Sequence, residues 1–223
     1  MKLLIVTGDD FGASPGINRG ILEAHLNGIL TSASVLVYRA ASFAATALAW
    51  RYPDLSLGLH LELDPAEPAR VSQQLDDQLH RFVELVGASP THVDSHHDVH
   101  RDPRVAPQVR AWAESRGLPV RGSSRARHLS RFYGRWGGRS HPERIDVAGL
   151  MALVDAEVGD GEGIYELTCH PGYVEPGFET SYAAEREIEV RTLCSADARQ
   201  GLAARDIHLI GFRDMPAEAA RVS

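Results

Sequence analysis

Seven consecutive residues, DSHHDVH at 94–100, hold two carboxylates and three imidazoles. Histidine is the commonest metal ligand and the side chain that most readily moves protons near neutral pH. Folding a loop does not require so many of them. Taken alone, the stretch reads equally well as a polar loop, so its meaning depends on which other residues the fold brings to it.

Other candidates are scattered along the chain. Asp9 and Asp10 close the apolar run KLLIVTG (2–8), His60 sits in LGLHLEL, Arg121 ends LPVRG (118–122), and His170 precedes Pro171-Gly172 in IYELTCHPG (164–172). Each has an ordinary reading by itself: a turn start for the aspartates, a core histidine for His60, a turn residue for His170. Together they share one property, because each falls at the C-terminal end of an expected strand. In α/β folds those ends lie on one face, and ligands bind there.

Two histidines and one carboxylate form a recurrent ligand set for a catalytic divalent ion, with positions left for water. The set selected here is Asp10, His60 and His96, with His100 as the rival to His96. Water on such an ion falls from a pKa of about 15.7 toward ~7. Asp9 is then free as a neighbouring base, Asp94 can orient a ligand imidazole from behind, and His170 can protonate a leaving group. Zinc suits the histidines, and magnesium suits the carboxylate.

The elements that must position these groups follow from periodicity. Strands are expected at 2–8, 32–37, 55–63, 91–94, 118–122, 164–172 and 206–212. Ser14, Pro15 and Gly28 bracket a helix. Further helices are expected over 42–52, over 75–86 before Gly87, from Asp102-Pro103 to Gly117, over 143–158 and over 181–193. Seven strands alternating with helices imply a parallel sheet with helices outside it. An open doubly wound sheet and a closed or partly closed (β/α) barrel remain equally open on periodicity.

The bulk properties set limits. With 223 residues and 43% hydrophobic content, a single α/β domain over 1–223 with a real core is expected. The net charge of −7 argues against general nucleic-acid or anionic-membrane binding. No apolar run approaches the ~20 residues of a membrane span. The start, MKLLIVTGDDFG, is too short an apolar run for a signal peptide, and Cys169 and Cys194 lack metal-type spacing, so a cytoplasmic protein is expected. Residues 123–142 read as a basic, aromatic loop in which Arg125, Arg127, Arg131, Arg135 and Arg139 interleave with Phe132, Tyr133 and Trp136. That loop is either solvated or a flexible wall over the site. Residues 216–223 read as a loose tail.

Four segments, TGDDFGASPGINRGILEAHLNGILTSASVLV, LGLHLEL, THVDSHHDVH and TCHPGY, in this order, resemble the YdjC-like carbohydrate deacetylases, which include the chitooligosaccharide and hopanoid-associated deacetylases. The likeness runs from residue 3 to about 100 and resumes from about 165 to 213. It implies a distorted or incomplete (β/α) barrel of the polysaccharide-deacetylase type and one divalent ion held by Asp10, His60 and His96. It also implies Asp9 as base, His170 as acid, and a small N-acetylated sugar or oligosaccharide as substrate. Members of the family often self-associate, so a homodimer is an option, although no interface is legible in the sequence. Two departures stand out. Asp98 occupies the place of the motif's middle histidine, and only 30 residues separate His60 from Thr91, where members acting on chitooligosaccharides often carry a longer insertion.

The function expected is therefore removal of acetyl groups from N-acetylated sugars by metal-activated water, with Asp94, His100 and Arg121 supporting the site or touching substrate. The alternatives are a metal-dependent phosphoesterase or non-sugar deacylase, motivated by the arginine-rich loop, and a catalytically weakened sugar-binding homologue, motivated by Asp98.

Overall fold

In the computed structural model, residues 1–216 are described; the tail expected over 216–223 lies outside them from 217 onward. The chain runs β1 (Lys2–Phe11), α1 (Pro15–Asn27), β2 (Ser32–Val35), α2 (Ser42–Ala49), β3 (Ser56–Leu61), α3 (Val71–Val86), β4 (Val93–Ser95), α4 (Ala106–Glu114), β5 (Ala126–Leu129), β6 (Arg135–Trp136), β7 (Arg139–Ser140), α5 (Val147–Glu157), β8 (Gly163–Cys169), α6 (Ala184–Leu193), α7 (Ala196–Ala203) and β9 (Ile207–Leu209). The expected start signal of the first helix holds: Ser14 Oγ accepts from Ile17 N at 3.2 Å, and Pro15 occupies the first turn. Gly87 ends α3 in the left-handed conformation, which glycine enters without steric cost.

The main sheet has the order β4-β3-β2-β1-β8-β5, with β9 beside the first residues of β1, and all its pairings are parallel. Periodicity left an open sheet and a barrel as equals; the pairing favours a curled, partly closed barrel. Val120 bridges Val93 at the β4 edge, and six residues later Ala126 pairs with Ile164 of β8 at the other edge. One short segment thus spans both edges of the sheet.

Two elements differ from expectation. The strand expected at 118–122 is reduced to that single bridge, and the strand on β8 is instead Ala126–Leu129, inside the segment read as a loop. The rest of 123–142 contains the small β6–β7 hairpin. Helix α7 was not anticipated; Ser195 caps it by accepting from Asp197 N.

The principal core lies between sheet and helices, where Leu4 and Val6 of β1 meet Ile17, Ile21 and Leu193 among others. The opposite face of β1 turns inward. There Ile5 packs with Ala126 and Phe212 in a small apolar plug. Beyond the plug the interior is polar, with Thr7, Ser34, His92, Asp94, Arg121 and Glu166 all buried. Buried polar groups are costly unless paired, so a polar interior requires a bonded network.

Candidate active site

At the C-terminal ends of the strands a cavity of about 610 Å³ is lined by Asp9, Asp10, His60, His96, Arg121 and His170, together with Asp98, Tyr133, Tyr182 and Arg186. Successive strand residues normally face opposite ways. Asp10 breaks that rule with φ +70°, and both aspartates reach the cavity. His97 and Asp98 adopt the same left-handed conformation, at φ 57° and 55°. That conformation is uncommon outside glycine and tends to gather at functional sites.

The structure brings Asp10, His60 and His96 together. Asp10 Oδ1 lies 3.5 Å from His60 Nε2 and 3.1 Å from His96 Nδ1. It is buried and has no well-aligned hydrogen bond among the described residues. Its companion Oδ2 accepts from Arg186 Nη2. Burial works to raise the Asp10 pKa, but His60, His96 and the Arg186 charge outweigh it and hold the carboxyl well below its usual range. Burial likewise opposes charge on His60, yet Asp94, Asp9 and Asp10 lift its pKa well above the ordinary value. An orphaned oxygen faced by two imidazole nitrogens, with all three donor atoms within 4.8 Å of one another, fits a divalent cation.

A second trio, Asp9, His60 and Asp94, is equally compact. Its oxygens are already engaged. Arg121 Nη1 and Nη2 donate to Asp9 Oδ2 and Oδ1 at 2.7 and 2.8 Å, Nη2 also meets Asp94 Oδ2, and Nε donates to Glu166 Oε1 at 2.9 Å. This trio belongs to an ion-pair network centred on Arg121, whose side chain is 1% exposed. Burial opposes its charge, but the three carboxylates hold its pKa well above the usual value.

Asp94 supports His60, as the sequence suggested: His60 Nδ1 donates to Asp94 Oδ1 at 2.7 Å, leaving Nε2 to face Asp10. Ser34 Oγ donates to Asp94 Oδ2 at 2.6 Å. His170 Nε2 stands 4.0 Å from Asp9 Oδ2 across the cavity. Burial lowers the His170 pKa to about 4, despite Asp9 and Asp10. Its Nδ1 is buried with no hydrogen-bond partner among the described residues.

His100 does not compete with His96. Its Nδ1 is bonded to Ser95 Oγ at 2.8 Å and its Nε2 to the Arg121 carbonyl at 3.1 Å, so both nitrogens are occupied outside the cavity lining. It ties the histidine turn to the segment that carries Arg121. Asp98 lines the cavity but stands outside the Asp10 group; its nearest charged partner is Arg101, at 3.6 Å.

Several site residues were not read from the sequence. Arg186 and Glu189 come from α6, and Tyr182 from the segment before it. Glu189 accepts from His170 N and from Tyr182 OH. Burial raises the Glu189 pKa to about 7 against those bonds and the Arg186 charge. Tyr133 stacks on Tyr182 with centroids 4.6 Å apart, and His170 meets both rings edge-on. Of the arginines at 125–139, none lines the cavity.

Comparison with known proteins identifies the family and the fold. The YdjC-like protein family model matches residues 3–70 and 63–204. A chitooligosaccharide deacetylase from Klebsiella pneumoniae is 32% identical over 258 aligned positions, covering 96% of this chain and 99% of the relative. A solved structure from Enterococcus faecalis, described as a putative cellobiose-phosphate cleavage protein, superposes with TM-score 0.84 at 25% identity over 96% of this chain and 98% of that one. The fold alone is shared with two others. One is a family 4 acetyl xylan esterase from Clostridium thermocellum in complex with a cobalt ion (TM-score 0.57, 16% identity, 99% and 97% covered). The other is a polysaccharide deacetylase from Bacillus cereus (TM-score 0.56, 12% identity, 95% and 92% covered). By the family match and the near-complete alignment, this chain belongs to the YdjC-like protein family and has the polysaccharide-deacetylase half-barrel fold.

Proposed function

We propose that this protein is a divalent-metal-dependent deacetylase of N-acetylated sugars, with Asp10, His60 and His96 as metal ligands, Asp9 as base and His170 as the group that protonates the departing amine. The observation that carries the reading is the orphaned Asp10 Oδ1 faced by the His60 and His96 nitrogens. Relatives named chitooligosaccharide deacetylase, aligned over nearly the whole chain, support the carbohydrate deacetylase activity. The cobalt ion in an esterase of the same fold supports the metal.

A bound divalent ion supplies Lewis acidity, acidifying a water and polarising the acetyl carbonyl. The chain's own residues do the rest. Arg121 holds the Asp9 carboxylate by both oxygens and fixes where it takes the proton of the attacking water. Water adds to the carbonyl carbon, and the C–N bond then breaks to give acetate and a free amine. That amine needs a proton. With its pKa lowered to about 4, His170 rests neutral near pH 7 and must gain the proton within the cycle. Asp9 Oδ2, 4.0 Å from Nε2, is an adjacent source once Asp9 has been protonated. Glu189 holds the backbone of His170 from behind, while Tyr133 and Tyr182 wall the ring. Those rings also offer apolar surface to a sugar.

The phosphoesterase alternative rests on the arginines of the 123–142 segment, and Arg125, Arg127, Arg131, Arg135 and Arg139 do not line the cavity, although Tyr133 of the same segment does. A cytoplasmic setting remains part of the proposal, supported by two free cysteines. Among the described residues, no helix is long and apolar enough to cross a membrane.

The test is acetate release from a panel of N-acetylated mono- and oligosaccharides. Metal-stripped protein is assayed alone and after addition of zinc, magnesium, cobalt or nickel. Release that depends on the ion supports the reading. Cleavage of phosphate esters with no acetate release from any member of the panel overturns it.

A further inference from the structure

Behind the ligand histidine, buried hydrogen bonds continue further than a carboxylate. Asp94 accepts on Oδ1 from His60 Nδ1 and on Oδ2 from Ser34 Oγ, at 2.7 and 2.6 Å. Ser34 Oγ also lies 3.0 Å from His92 Nε2, and His92 Nδ1 lies 2.9 Å from Thr91 Oγ1. Ser34 and His92 are completely buried.

Counting protons fixes the direction of this chain. The carboxylate of Asp94 can only accept, so the single Ser34 hydroxyl proton goes to Oδ2. Ser34 Oγ must then accept from His92, which places the imidazole proton on Nε2. His92 Nδ1 is left to accept from the Thr91 hydroxyl. Thr91 Oγ1 also lies 3.0 Å from the Leu57 carbonyl, but that oxygen is satisfied by Thr91 N at 2.8 Å, so the hydroxyl proton can go to Nδ1 without leaving the carbonyl unpaired. Every polar atom is satisfied in one arrangement, and every donor from Thr91 to Ser34 points toward Asp94.

The ring of His92 is held as firmly as its protons. It stacks on Phe212 with centroids 3.9 Å apart and planes 15° apart. It also occupies the space that any side chain at position 58 would need: a Cβ on Gly58 would fall 2.3 Å from its Cε1 and Nε2. Glycine at 58 therefore makes room for the ring. Neither a sheet nor an apolar core requires a serine and a histidine here.

We propose that Ser34 and His92 are positioning residues for the metal site, fixing the Asp94 carboxylate so that His60 keeps its Nδ1 proton and presents Nε2 to the ion. This inference rests on the metal reading of Asp10, His60 and His96. It extends the site to two residues on β2 and just before β4, neither of which touches the cavity. Partners of this kind alter metal affinity by about 10- to 100-fold when removed.

The experiment is a competition titration of metal-stripped protein with zinc against a chelating indicator. Wild type is compared with Ser34→Ala, His92→Gln and His60→Ala. Thr46→Ala serves as a matched control, removing a buried hydroxyl that bonds only within α2. Circular dichroism and thermal unfolding of the metal-free variants report folding. Ser34→Ala is expected to bind zinc about 10- to 100-fold more weakly while retaining its fold, with Thr46→Ala unchanged. His92→Gln keeps a nitrogen donor and is expected to lose less. Nitrogen-15 NMR of wild type at pH 7 should find His92 neutral and protonated on Nε2. If wild type binds zinc and His60→Ala abolishes binding, while Ser34→Ala and His92→Gln bind as wild type, the positioning role is overturned. A His92 protonated on Nδ1 alone overturns it independently, so the role stays testable even if Ser34→Ala fails to fold. No zinc binding by wild type overturns the metal reading beneath it.

Discussion

Arg121 grips Asp9 by both carboxylate oxygens, Nη1 to Oδ2 at 2.7 Å and Nη2 to Oδ1 at 2.8 Å, in a fully buried setting. The same guanidinium meets Asp94 and Glu166. One cation thus pairs with three acidic side chains and holds Asp9, the base of the proposed mechanism, in one orientation. Removing it leaves buried charges uncompensated, which costs about 3–5 kcal/mol for a buried pair. Arg121→Ala is expected to lose at least that much stability in denaturant unfolding. Arg121→Lys keeps the charge but not the planar fork, so it should lose activity beyond its loss of stability.

Asp9 and Asp10 are neighbours in sequence with separate duties in the proposed mechanism, and substitution should split them. Asp9→Asn is expected to lower acetate release by about 10²- to 10⁴-fold while still binding zinc in a competition titration. Asp10→Asn should weaken zinc binding itself. Full activity in Asp9→Asn would remove Asp9 from the mechanism.

His96 and His100 are four residues apart in one turn, and the proposed metal site gives them opposite roles. His96→Gln is expected to impair zinc binding because it removes the imidazole nitrogen that faces Asp10 Oδ1 at the proposed site. His100→Gln should retain zinc binding, since both nitrogens of His100 are already bonded to Ser95 and the Arg121 carbonyl. Its cost should appear as lower thermal stability. Loss of zinc binding in both variants to the same degree would contradict the assignment.

Acid should destabilise the metal-free protein below pH 6.5. Burial lowers the pKa of His92, His128 and His170 to about 4 from an ordinary 6.5. Between those values the unfolded chain binds protons that the folded chain refuses, so stability falls as pH drops through the window. Glu189 acts in the opposite sense: its folded pKa of about 7 makes its contribution largest below the ordinary 4.5 and lost as pH rises through 7. Burial also lowers the pKa of His97 and His100 and raises that of Glu166, so the lowered histidines outnumber the raised glutamates and unfolding midpoints should decline from pH 6.5 toward 4. His92→Gln should make that decline shallower.

The sequence made six of the cavity-lining side chains legible because Asp9, Asp10, His60, His96, Arg121 and His170 follow apolar strands, and strand ends converge in this class of fold. Asp94 behind His60 could be read from the same pattern. Helix α6 was harder: in AEREIEVRTL, Arg186 and Glu189 look like part of a solvated charged face, and only packing shows them buried. Glu166 did carry a signal, a lone acid inside the strand GIYELTC, which marks a buried partner for a cation. Strand β5 was hidden because Arg127 and His128 interrupt its apolar positions, so its edge pairing on β8, not its composition, defines it. Ser34 and His92 gave no sign at all, since a serine in a small-residue strand and a histidine before Val93 are ordinary by type.

Metal dependence of the deacetylation is tested most sharply by measuring bound metal and acetate release together. Metal-stripped protein is titrated with zinc or magnesium in the presence of an N-acetylglucosamine oligomer, alongside His60→Ala. Acetate release is expected to be absent without the ion, to rise with occupancy of one site per chain, and to be lost in His60→Ala. Acetate release that persists in the stripped protein, or survives in His60→Ala, would contradict a metal-dependent mechanism at this site.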